Sequence, residues 1–87
     1  MVSFKELQEM ISFIPPAKIK HIKSSVFAGE GKTLEFYEGL ASGKFTSEVA
    51  TKWHFYPEEK NRNENFNWLK RNLQEKLSDL ILLIDYN

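Results

Sequence analysis

At 87 residues the chain makes one domain, and because about 40% of the unfolded surface of so small a domain stays exposed, a few well-patterned elements must supply the core. A composition of 41% apolar and 14% aromatic residues excludes a disordered chain, while zero formal net charge, twelve basic against twelve acidic residues, argues against a dedicated nucleic-acid domain with its usual basic excess. Without cysteine there is no disulfide, no thiolate metal site and no thiol redox chemistry.

The opening "MVSFKELQEM" interleaves acids and bases without the continuous apolar core of a signal peptide, so a cytoplasmic location is the default expectation. No apolar run approaches the roughly 20 residues needed to cross a bilayer, and no membrane partner is expected.

In "SFKELQEMISFIPP", Ser3 precedes Glu6 by three residues, the spacing of a capping box. Phe4, Leu7, Ile11 and Ile14 then recur at helical intervals, which predicts a first helix over about 4–13. Pro15 and Pro16 end it and open a second helix over about 17–26, with Ile19, Ile22 and Val26 on its buried side. The glycines of "AGEGK" mark a turn, after which "TLEFYEGLASG" sets Phe36, Tyr37, Leu40 and Ala41 along one stripe of a third helix. Gly43 closes that helix, and Gly39, inside it at a cost of about 1 kcal/mol relative to alanine, reads as a point of close helix contact.

Thr46 is the expected cap of a fourth helix, "SEVATKWHF", with Val49, Ala50 and Trp53 facing inward. After the polar "YPEEKNRNEN", Asn63 or Asn65 caps the longest helix, in which Phe66, Leu69, Leu73, Leu77, Leu80 and Ile84 repeat at three and four residues. The fold class that follows is all-α, a compact bundle of about five helices with the last one as its spine.

Two features of the last helix bear on function. Trp68 lies two residues after Phe66, a rotation of about 200° on a helix, which places it opposite the core stripe. Either the 56–62 segment folds back over it or it is an exposed anchor for a partner, together with Tyr56. In "DLILLID" the residues 80–84 are apolar in every direction around the helix, and a helix apolar all round is buried all round. Leu80 and Ile84 belong to the stripe and Ile81 to its boundary, which leaves Leu82 and Leu83 to pack on a second copy or on further residues of a longer chain.

"KFTSEVATKWHFYPEEKNRNENFNWLKRNLQEKL" also has the outline of a helix-turn-helix, with Asn67, Lys70 and Arg71 chemically able to meet bases or phosphate. The gap from Phe55 to about Asn63 is twice the three or four residues of that motif, and Glu58, Glu59 and Glu64 would repel phosphate. Catalytic constellations are missing: His21 and His54 stand on different helices without carboxylates at ligand spacing, and "AGEGKT" lacks the glycine spacing and the preceding strand of a phosphate loop. No enzyme activity, cofactor or metal is expected.

"FNWLKRNLQEKLSDLILLID", following the glycine-bounded "FYEGLASGKFTSEVA", resembles the all-helical modules that stand at the start of bacterial proteins built from tetratricopeptide-type helical repeats. The resemblance implies a protein-binding or assembly role and assigns no individual residue. The expected function is a non-enzymatic protein-interaction or assembly module, with Trp68, Tyr56, Leu82 and Leu83 as contacts. The alternatives are a helix-turn-helix-like DNA-binding module acting through Asn67, Lys70 and Arg71, and an N-terminal scaffold of a longer helical-repeat protein.

Overall fold

A computed structural model of the chain describes residues 2–14, 27, 29, 31–57 and 60–85, with side chains to residue 82. Among these the secondary structure is wholly helical: α1 (Phe4–Ser12), α2 (Gly31–Ser42), α3 (Glu48–Phe55) and α4 (Arg62–Asp85). That is four helices where the sequence suggests about five, because the helix expected over 17–26, His21 included, lies outside the described residues. The radius of gyration is 12.7 Å, close to the value of about 12 Å for a compact chain of this length.

Each helix starts and stops for a local reason. The Ser3 hydroxyl accepts the Glu6 N–H at 3.0 Å and opens α1. Gly43 at φ +83° ends α2 in the left-handed region that glycine enters without strain. The cap of α3 is Ser47, not Thr46: its side chain accepts the Ala50 N–H, which leaves Glu48 in the first turn near the positive end of the helix. α4 begins at Arg62, ahead of both asparagines expected to cap it.

The spine is as the periodicity demands. Phe66, Leu69, Leu73, Leu77 and Leu80 are each 1% exposed or less, and full burial of such side chains stabilises by roughly 1.5–3 kcal/mol apiece. Against this stripe pack Phe4 and Leu7 of α1 and Phe36, Tyr37 and Leu40 of α2, with Ile14 and Phe27 buried beside them. Phe36 is the hub, its ring centroid 5.6–6.3 Å from those of Phe4, Phe45, Phe55 and Phe66. Asn72 ties α4 to α2 by donating to the buried Thr33 hydroxyl at 2.7 Å.

The close approach expected at Gly39 is present, but the neighbour is not a helix. A Cβ there would stand 2.2 Å from the Phe45 ring, in the segment after α2, whose backbone N–H also donates to the Gly39 carbonyl at 3.1 Å. Ala41, read as part of the same stripe, is exposed.

α3 departs most from expectation. Val49 is 61% exposed, Trp53 51% exposed, and Ala50 is exposed too, whereas Thr51 and Phe55 are buried. Phe55 joins the ring cluster around Phe36 and Phe45, and Thr51 satisfies its buried hydroxyl by donating to the Ser47 carbonyl at 2.7 Å. The inward stripe is thus Glu48, Thr51, Lys52 and Phe55, rotated from the more apolar stripe that the sequence offers.

Candidate binding surface

Because the stripe from Phe66 to Leu80 fixes the rotation of α4, its opposite face is fixed as well. Between residues 64 and 82 the exposed positions are 64, 68, 71, 75, 78, 79 and 82, again spaced by three and four. Two of them are large and apolar, Trp68 at 58% and Leu82 at 57% exposure. They stand fourteen residues apart, about 21 Å along the helix. Arg71, Glu75, Ser78 and Asp79 lie between them. Ile81 packs partly on the core, Leu80 is fully buried, and the side chains of Leu83 and Ile84 lie outside the described residues.

The described residues of the 56–62 segment leave Trp68 exposed. The segment's Arg62 guanidinium instead stacks on the other tryptophan, 3.5 Å from the Trp53 ring centroid, while donating hydrogen bonds to the carbonyls of Tyr56 and Pro57. Tyr56 is itself buried, with the Lys32 ammonium over its ring at 4.5 Å, so its side chain is no surface anchor. Removing it from the expected contact set follows from packing: as the residue that closes α3, it turns into the core beside Phe55.

The residues proposed to meet nucleic acid are not brought together on one surface. Lys70 is 3% exposed, and its ammonium donates to Glu48 of α3 at 2.6 Å, with the Phe66 ring 5.4 Å away. A buried, paired cation has no phosphate to meet, and the cause is angular, since residue 70 follows 66 and 69 onto the core side of the helix. Asn67 is partly buried and Arg71 fully on the outward face. Lys52 donates to Asn63 at 2.9 Å, so contacts descend α4 as they ascend α3, and the two helices run back along each other in an antiparallel sense. Glu58 and Glu59 lie outside the described residues.

One shallow depression of about 270 Å³ is lined by Glu35, Glu38, Gly39, Ser42 and Lys44. Its one hydroxyl, Ser42, donates to the Gly39 carbonyl at 3.3 Å. Nearby, His54 and Glu35 meet at 2.7 Å, both well exposed, a setting in which an ion pair contributes little. Burial first and the neighbouring Glu38 carboxylate second push the Tyr37 hydroxyl above its ordinary pKa, so it stays protonated. Among the described residues no three His, Cys, Asp or Glu side chains gather to hold a metal ion.

Sequence reasoning named Trp68, Leu82 and Arg71 but passed over Glu75, Ser78 and Asp79, which complete the outward face. Counting seven residues on from Trp68 finds the first of them. It also passed over Glu48 as the partner of Lys70, for which, at a separation of twenty-two residues, no local pattern exists.

No helix among the described residues is long and apolar enough to cross a membrane. Compared with protein-family models, with curated proteins and with solved structures, the chain has no significant match in any of the three.

Proposed function

We propose that the chain is a non-enzymatic protein-interaction or assembly module whose contact surface is the outward face of α4. The observation that carries this reading is the pair of exposed apolar side chains, Trp68 and Leu82, on one side of a helix whose other side is locked into the core. Tryptophan is prominent among interface hot spots, and a contact presented on a rigid helix loses little conformational freedom when it binds. The same face suits the assembly role implied by the likeness to modules preceding helical-repeat arrays. Nucleic acid is the weaker reading, since of Asn67, Lys70 and Arg71 only Arg71 offers an exposed cation.

Photo-cross-linking tests the proposal. A benzophenone side chain at position 75, on the outward face, is compared with one at position 9 on the exposed side of α1. Protein adducts are expected from position 75, not from position 9, and should vanish on Trp68→Ala with Leu82→Ser. Equal labelling from both positions, or adducts indifferent to those changes, would overturn it. Duplex binding at physiological salt that weakens on Arg71→Ala would favour the nucleic-acid reading instead.

A further inference from the structure

Resting on that reading, we infer that the occupant of the outward face is a second copy of the chain, with the two α4 helices antiparallel about a two-fold axis at Glu75. The inference comes from the order of residues along the face: Trp68, Arg71, Glu75, Ser78, Asp79, Leu82, all exposed. The spacing of three and four is that of a helix-pairing seam. Antiparallel pairing centred on Glu75 sets Trp68 of each copy on Leu82 of the other and Arg71 of each on Asp79 of the other. Symmetry makes each contact twice and closes the assembly at two subunits. Both ends of the helix pair are then sealed by an apolar contact and the middle is held by two ion pairs. Glu75 against its own copy is the one like-charge contact. Parallel pairing would set Arg71, Glu75 and Asp79 each against itself, three like-charge contacts and no opposite one, and like charges brought face to face suppress an arrangement.

Sedimentation equilibrium of the 87-residue chain tests this, with circular dichroism to show that each variant keeps its helices; every altered side chain is exposed, so the core is untouched. Wild type is expected to dimerise. Arg71→Asp alone and Asp79→Arg alone each replace both ion pairs by repulsions and should weaken the dimer about tenfold. The double exchange restores it, an equimolar mixture of the two single variants forms a heterodimer, and Glu75→Gln tightens the wild-type dimer. Direction is read from disulfides, since the chain has no cysteine of its own. Glu75→Cys should oxidise to a cross-linked dimer, and Ser78→Cys, six residues from its nearest opposite number on the partner helix, should not. A folded chain that stays monomeric at millimolar concentration, a dimer indifferent to the single exchanges, or equal cross-linking at 75 and 78 would overturn the inference. A monomer whose position-75 probe still captures a different protein overturns the self-pairing and leaves the module reading standing; association that ignores every change on this face overturns both.

Discussion

Helices α3 and α4 lie against each other, yet α4 gives the core five fully buried apolar side chains while α3 gives it Thr51 and Phe55 and turns Val49 and Trp53 to solvent. Length decides which rule each obeys. Over 24 residues the stripe of α4 repeats often enough that any other rotation would expose several leucines at roughly 1.5–3 kcal/mol each. Over eight residues α3 has only one or two apolar side chains on any face, so polar contacts are of comparable weight. The Glu48–Lys70 and Lys52–Asn63 contacts and the entry of Phe55 into the ring cluster select its rotation.

The contrast breaks most visibly at the centre of α4. Leu73→Ala removes a fully buried side chain from a packed stripe and should cost about 3 kcal/mol, measured as a lower midpoint in urea unfolding at unchanged slope. A loss under about 1 kcal/mol would mean that the spine is not the centre of the core.

Gly39→Ala comes next. Alanine favours a helix by about 1 kcal/mol over glycine, but here its Cβ would stand 2.2 Å from the Phe45 ring, and overpacking of that kind costs about 1–3 kcal/mol. The ring is held among Phe36, His54 and Phe55 and is not free to swing away. Net destabilisation is expected, and Phe45→Leu in the same chain should recover part of it. A simple stabilisation by Gly39→Ala would show that the ring yields without cost.

Third in size is the polar link between the two helices. Glu48→Ala leaves the Lys70 ammonium almost buried without its partner. Because the Glu48 side chain is 43% exposed and water can take its place, a loss of about 1–2 kcal/mol is expected, not the full cost of a severed buried pair. Lys70→Met added to Glu48→Ala should return most of it, since an apolar side chain of similar length suits the site. If the double variant is no better than the single, the ammonium makes contacts beyond Glu48 and the Phe66 ring.

The first and last helices were legible in the sequence because each repeats its apolar positions and carries its own punctuation: Ser3 before Glu6, and the long three-and-four stripe from Phe66. The same arithmetic that fixes the buried face puts Trp68 and Leu82 outside, so the proposed contact surface was half legible too. What stayed hidden depends on partners distant in the chain. Lys70 looks like a surface cation until Glu48 is brought against it, Trp53 looks like core until Arg62 stacks on it, and Tyr56 looks like surface until α3 has turned. Trp53 meets Arg62 of α4 and Tyr56 meets Lys32 of α2, contacts invisible to periodicity, whereas the angle of Lys70 on α4 already turns it inward and only its partner, Glu48, is hidden.

The smallest effect separates the two regions best, because there the rival rotations of α3 predict opposite signs. If Val49 faced the core, as its apolar character and its spacing from Trp53 suggest, Val49→Glu would bury a carboxylate and cost several kcal/mol. In the structure Val49 is 61% exposed and stands in the first turn after the Ser47 cap. There a glutamate gains on two counts: it is the better helix former than β-branched valine, and its charge sits near the positive end of the helix dipole. Its neighbour Glu48 offsets part of that gain, although Glu48 is already engaged by Lys70. Val49→Glu should therefore leave stability unchanged or raise it by about 0.3–0.5 kcal/mol, read as a thermal midpoint equal to or slightly above the parent's. A clear fall would restore Val49 to the core and undo the rotation of α3 on which the Glu48–Lys70 contact depends.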